Sequence, residues 1–225
     1  MDTMIYFSTI LWPALYAGLI LTLELIVVTA PFGLLLGTGV AVGREYGGPI
    51  FSRLCKGYVI FVKGCPLLLL LFILYFGLPS VGITLTAFVA SVTGFILCNA
   101  AYNSEYIRGG IKSVKEGQIT AAMALGMTRM QAVQHVVLPQ ALRRAIPGLS
   151  NEFIYLIKYS SLAYMITVVE ISGAAKLVAS KYFTFTETFL AVGLVYLILV
   201  SITTGAVHLL EKRVAVPGTL STRGH

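Results

Sequence analysis

Charge is scarce in this sequence. Only 11% of its 225 residues are charged and 57% are apolar, whereas an ordinary soluble domain is about a quarter charged. That excludes a soluble globular fold and points to an integral membrane chain. Cysteine is sparser still, at three residues. Cys55, Cys65 and Cys98 are odd in number, lack metal-ligand spacing and lie in or beside apolar runs, so they read as small apolar residues. His135 and His208 have no partner cluster, and no metal is expected. A constellation of nucleophile, base or metal ligands is missing, as is a phosphate-binding loop of the GxxxxGK type. No catalytic residue and no nucleotide site is therefore assigned to the chain. No basic stretch or small-residue cleavage site accompanies Asp2, so a cleaved signal peptide is not expected. No long internal repeat is visible, which counts against an inverted-repeat secondary transporter.

What the sequence does have is long apolar runs. About 20 apolar residues cross about 30 Å of hydrocarbon as a helix, and five such spans are predicted, at about 16–42, 58–76, 85–105, 149–169 and 188–210. The length suits a single transmembrane domain over residues 1–225. The net charge of +7 does not indicate nucleic acid, because the basic residues fall between spans. Arg44, Arg53 and Lys56 follow the first span. Arg108, Lys112, Lys115, Arg129, Arg143 and Arg144 follow the third, and Lys212, Arg213 and Arg223 the fifth. The opposite side has only Lys176 and Lys181. The positive-inside rule then puts the N-terminus outside and the C-terminus in the cytoplasm. Within span one, Gly33 and Gly37, then Gly39 and Gly43, repeat a small-xxx-small spacing that lets helix backbones approach closely, and Pro31 removes a ladder hydrogen bond.

The loop between spans three and four contains a polar insert, GQITAAMALGMTRMQAVQHVVLP, from Gly117 to Pro139. Thr120 to Leu125 favours a short helix with a small-residue face. Gly126 is a natural C-terminal stop, and Thr128 with Gln131 has the capping-box spacing of a new helix start. Pro139 and Pro147 are expected to break that second helical run into segments. The result is a short helix lying across the cytoplasmic face, held between two spans.

This insert resembles the loop that defines permease subunits of ATP-binding-cassette importers: Glu-Ala-Ala, three residues, Gly, nine residues, Ile, any residue, Leu-Pro. Here it reads Thr120-Ala121-Ala122, Gly126, Val136, Leu138-Pro139. Thr120 stands where the family usually has Glu, and Val136 where it often has Ile. The resemblance extends through GCPLLLLLFILYFGLP (64–79), AAYNSEYIRGGIKSVKEGQ (100–118) and LPQALRRAIPGLSNEFIYLIK (138–158), which are similar to the histidine, glutamate, glutamine, arginine and opine group of amino acid permeases. Cys65 and Lys63 replace the Thr and Arg usual there.

The resemblance implies an all-α membrane fold whose coupling helix, with Gly117, Thr120, Ala121, Ala122, Leu125, Gly126 and Met127, sits in a groove of a separate ATPase. It implies two such ATPases, which bind ATP and Mg and whose closure switches the spans between inward-facing and outward-facing arrangements. It also implies a second permease chain, identical or related, and a periplasmic or lipid-anchored amino acid binding protein. The setting would be a bacterial or archaeal cytoplasmic (inner) membrane, crossed several times.

Ionisable residues inside spans cost about 2.5–3.5 kcal/mol each on insertion scales and are functional candidates by default. Glu24 lies well inside span one; either it lines the path and contacts an amino group of the substrate, or it pairs with a neighbouring helix or sits in water near a span end. In span four, Glu152, Tyr155 and Tyr159 share a helical face, Asn151, Lys158 and Ser161 form the adjoining edge, and Ser160 is a further path candidate. The alternative for this face is interhelical hydrogen bonding that merely holds the bundle. Lys158-Tyr159-Ser160-Ser161-Leu162 resembles a family pattern, Lys-Asp-Thr-Ser-Leu, with Tyr159 in place of the acid. With Lys158, that favours neutral or acidic cargo over basic. A basic amino acid or opine importer is the alternative, and an ATP-independent amino acid transporter a further one. Asn99, Tyr102 and Asn103 are further path candidates. Glu105 and Arg108 can pair at the cytoplasmic end of span three. Glu170 and Glu187 are expected to be solvated near the outer face.

Overall fold

The structure, a computed structural model, describes residues 3–214; Asp2 and Arg223 lie outside them. Its helices are α1 (Tyr6–Tyr46), α2 (Pro49–Gly64), α3 (Leu67–Val81), α4 (Ala87–Ser113), α5 (Gly117–Ala124), α6 (Arg129–Ile166), α7 (Ile171–Tyr182) and α8 (Phe185–Val214). No strand occurs among the described residues.

Helix α1 lies along α4, and α4 lies along α6. The α1–α4 contact follows from the glycine spacing. A Cβ at Gly37 would come within 2.9 Å of the Ala100 carbonyl and of Asn103 Cβ, and one at Gly33 would collide with Asn99. Only glycine lets the two backbones approach this closely. The core is layered along the bundle. Tyr6, Leu11 and Leu15 pack with Ile171 and Val178 at one end. Leu25, Leu71, Phe95, Leu156 and Ile166 fill the middle. Ala41, Ile107, Ile111, Val137 and Ala141 close the other end.

Among the described residues, α1 and α8 are each long and apolar enough to cross a membrane. The bent pairs α2–α3 and α6–α7 also qualify when each is taken as one span. The predicted second span at 58–76 is not one straight helix. The chain turns by 104° between α2 and α3, because Pro66 forces Cys65 out of helical backbone (φ −91, ψ 128). Nor do Pro139 and Pro147 break the run after Thr128. Pro139 enters after a π-helical turn, Val133–Val137, and Pro147 sits inside continuous helix. The wider turn re-spaces the carbonyls just ahead of the residue that cannot donate. The Gln140 side-chain amide donates to the Val136 carbonyl at 2.9 Å.

The stretch after the predicted fourth span holds a further helix, α7. Its N-terminus is capped by Glu170, which is fully buried rather than solvated. The carboxylate accepts from the Ser172 and Gly173 amides, each at 2.9 Å, and from the Tyr196 hydroxyl at 2.9 Å. These donors supply what water would have supplied. Thr22 of α1 accepts from the Ile171 amide at 3.3 Å in the same corner.

Candidate functional site

Candidate functional residues gather in two regions, the capped surface helix α5 and a buried polar cluster in the bundle.

Helix α5 ends as its sequence dictates. Gly126 adopts φ +89, the left-handed conformation that costs glycine least. The Met127 amide donates to the Ala122 carbonyl at 3.2 Å and the Gly126 amide to Met123 at 3.0 Å, the paired bonds of a Schellman motif. The next helix starts at once. Thr128 accepts from the Gln131 amide at 3.3 Å, and the Gln131 side chain accepts from the Thr128 amide at 2.8 Å, completing the capping box. The element is thus pinned at both sides of its turn by local bonds.

The bundle holds α5 from below. Ile119 packs with Ile107, Ile111, Val114 and Val137. Arg144 of α6 donates to the Ser113 carbonyl and, at 3.0 Å, to its hydroxyl. The two faces of α5 then separate. Ala122 is only 4% exposed and serves as an inward anchor, so it is not available to a groove on another protein. Gly117, Thr120, Ala121 and Gly126 are exposed, Met127 is half-buried, and Leu125 is 83% exposed. Leu125 with Met123 makes an apolar tip that solvent does not favour.

Beneath α5 lies a recess of about 500 Å³ lined by Glu45, Tyr46, Lys112, Glu116, Thr120 and Arg129. Arg129 stands 5.8 Å from the centre of the Tyr46 ring. Alongside it runs an ion-pair network. Arg44 and Arg108 both bond Glu105 at 2.9 Å, and Arg108 and Lys112 reach Glu45 at 3.6 and 3.7 Å. The expected Glu105–Arg108 pair is therefore present within a larger set that ties the end of α1 to α4, and the recess joins both to α5.

The second region brings together four of the ten predicted path residues. Tyr159 donates to Glu152 at 3.2 Å, and the Asn103 amide donates to Asn99 at 2.7 Å. Asn99 reaches both Glu152 and Tyr159 with its side chain. Glu152, Asn99 and Asn103 are buried, and the Phe95 ring sits tilted beside that of Tyr159, 5.5 Å between centroids. The cluster lies where Gly33 and Gly37 let α1 close over α4.

The remaining six lie elsewhere. Tyr155 shares a helical face with Glu152 only by count: it is exposed, with the Lys158 ammonium 5.2 Å from its ring centre. Tyr102 carries Lys63 over its ring at 5.3 Å. Ser160 and Ser161 donate back to the Ile157 and Lys158 carbonyls at 2.7 and 2.8 Å. Glu24 is exposed on α1, away from the cluster. Sequence reasoning missed Tyr58, whose hydroxyl donates to the Leu97 carbonyl at 2.6 Å, and Tyr196 with Glu170. No local pattern signals either pair, since the partners are 39 and 26 residues apart. No group of three metal-ligating side chains occurs among the described residues.

The sequence matches the family described as "Binding-protein-dependent transport system inner membrane component" over residues 31–216. It is 36% identical over 209 residues to the probable amino-acid permease protein YxeN of Bacillus subtilis (strain 168), covering 92% of this chain and 93% of that one. It is 41% identical over 189 residues to the probable amino-acid ABC transporter permease protein PatM of Vibrio harveyi, covering 83% and 85%. A solved amino acid ABC transporter with histidines superimposes with a TM-score of 0.81 at 31% identity, covering 89% of this chain and 94% of that chain.

Proposed function

The chain belongs to the family of binding-protein-dependent transport system inner membrane components, and on that premise we propose that it imports a polar amino acid by alternating access, driven through α5 by partner ATPases. That it is a transmembrane subunit of an ABC importer follows from its relatives and its fold, and such subunits work with ATPase and binding-protein partners. The finer reading has the chain cross the cytoplasmic membrane of a bacterium or archaeon about five times, N-terminus outside. It pairs with a second permease, identical or related, and leaves ATP and Mg to two ATPase chains.

The observation that carries the coupling role is the orientation of α5. Its inner face is anchored by Ile119 and Ala122, its turn is locked by two capping motifs, and its apolar tip at Leu125 faces outward. A rigid, outward-pointing tip transmits a push from an ATPase groove. The ion-pair network passes it to α1 and α4, which then move as packed bodies.

The buried Asn99–Asn103–Glu152–Tyr159 cluster is the proposed substrate contact. Tyr159 already donates to Glu152, so the carboxylate is engaged and a neutral or acidic amino acid is the first reading. A second reading, a basic amino acid or opine, is favoured by the same Glu152 being buried with no cationic partner among the described residues. Uptake in cells lacking the native gene, with each amino acid class as competitor, separates the two. Competition by neutral or acidic amino acids supports the first, competition by arginine or lysine alone the second, and competition by none refutes the cluster's role.

A further inference from the structure

Helix α2 belongs to neither the coupling end nor the buried cluster. Helix α3 runs antiparallel beside α4: Leu67 packs on the Cys98–Ala101 cluster, and Leu71 lies over Gly94. The 104° bend at Pro66 therefore turns α2 across the bundle rather than along it. Both ends of α2 meet the same layer. At its start, Phe51 packs over Gly43 of α1, one residue before Arg44. At its end, Lys63 stands 4.0 Å from Glu105, the carboxylate that Arg44 bonds at 2.9 Å. The 16 residues of α2, about 24 Å of helix, thus lie in the plane of the charged end of the bundle.

The side chains of α2 divide into three strips. Cys55, Val59 and Val62 are buried against α1 and α4. Ile50, Leu54 and Phe61 share a second face and are 74%, 65% and 64% exposed. Beside them, Arg53 and Lys56 make a basic edge. Both are exposed, and among the described residues neither meets a carboxylate. Water satisfies the cations but not the apolar strip, and hydrocarbon does the reverse. Such a helix is accommodated in the headgroup layer, with its apolar side against acyl chains.

We propose that Arg53 and Lys56 hold the phosphate of an anionic phospholipid whose acyl chains lie along Ile50, Leu54 and Phe61. The edge offers cationic donors and no carboxylate, so an anionic headgroup fits it, while the ammonium of a zwitterionic headgroup finds no acceptor. A second copy of α2 does not fit, because a two-fold contact would set the basic edge against itself. The lipid also bears on the buried cluster. Tyr58 of α2 donates to the Leu97 carbonyl at 2.6 Å, and Val62 packs with Cys98 and Ala101. That stretch of α4 carries Asn99 and Asn103, so holding α2 in the headgroup layer steadies the proposed substrate contact. The inference rests on the membrane-spanning importer reading above.

The test takes the full chain co-purified with its ATPase in detergent. Native mass spectrometry measures retained lipid when phosphatidylglycerol and phosphatidylcholine of the same acyl chains are supplied in equal amounts. The unsubstituted complex should retain phosphatidylglycerol preferentially. Arg53→Gln with Lys56→Gln should reduce that preference about tenfold. Arg53→Lys with Lys56→Arg should keep it, and Lys212→Gln with Arg213→Gln should leave it unchanged. In phosphatidylcholine vesicles, added phosphatidylglycerol should raise ATP-driven uptake by the unsubstituted complex but not by the Arg53→Gln, Lys56→Gln form. A photoactivatable phosphatidylglycerol, applied to the unsubstituted complex, should label residues 49–64; labelling confined to other helices overturns the proposal. So does the absence of any lipid preference, or an equal loss from the two Gln pairs. Displacement of the lipid by inorganic phosphate alone would make the edge a free-anion site and overturn the lipid assignment. Loss of self-association by the Arg53→Gln, Lys56→Gln form at fixed lipid would give the edge to a second copy and overturn it too. If the unsubstituted chain brings down no ATPase, the importer reading fails, while preferential retention of phosphatidylglycerol by the chain alone would still support the lipid site.

Discussion

Tyr159 donates a hydrogen bond to Glu152 at 3.2 Å, two turns away on α6, with Asn99 of α4 in reach of both. The position that resembles an acid in the family pattern thus holds the phenol that engages the buried acid. Replacing Tyr159 by Asp should remove that donor and add a second carboxylate, shifting uptake toward cationic amino acids. A charge-assisted hydrogen bond is worth about 1.5–3 kcal/mol, so the preference should move by about tenfold or more. Competition uptake assays measure it, and an unchanged preference would remove this cluster from the substrate path.

Ala121 and Ala122 are adjacent, but Ala121 is exposed and Ala122 is buried. Ala122→Arg should lower stability by about 1–3 kcal/mol, because it overpacks the seat beneath α5. Ala121→Arg should leave the chain folded and inserted while weakening ATPase association. Thermal unfolding in detergent and co-purification, run side by side, distinguish the two outcomes.

Gly126 turns the chain at φ +89. Gly126→Ala should cost about 1–2 kcal/mol, the penalty for a side chain in left-handed backbone. Gly117→Ala meets no atom within 4 Å of its new Cβ and should change stability by less than about 0.5 kcal/mol. Thermal unfolding of the two variants checks the difference.

Glu170 holds two amides of α7 and the hydroxyl of Tyr196. Glu170→Ala should destabilise the corner where α7 meets α1 and α8 by about 1–3 kcal/mol, with faster hydrogen exchange in residues 171–182. Glu170→Gln, which keeps an acceptor oxygen, should lose less.

The parts legible in the sequence are those fixed by residues a few positions apart. Gly126 and the Thr128–Gln131 pair were readable because a turn and a cap are decided locally. The glycines of α1 announced a close helix contact but not its partner, since which helix arrives depends on packing. The proline breaks were misjudged for the opposite reason. A π-helical turn before Pro139 absorbs the missing donor, whereas at Cys65–Pro66 nothing does and the chain turns by 104°. The burial of Glu170 depends on Tyr196, from another helix. Helical counting joins both Tyr155 and Tyr159 to Glu152, but of the two only Tyr159 bonds it. Neighbouring helices decide which edge of a face turns inward.

The most direct test of the coupling role is gentle affinity purification from native membranes, comparing the unsubstituted chain with Leu125→Glu by mass spectrometry of what accompanies each. A cassette-type ATPase should come down with the unsubstituted chain and be lost from an inserted, folded Leu125→Glu form. Equal recovery of the ATPase with both would contradict the role given to α5, and recovery of the folded chain alone would contradict the dependence on a partner ATPase.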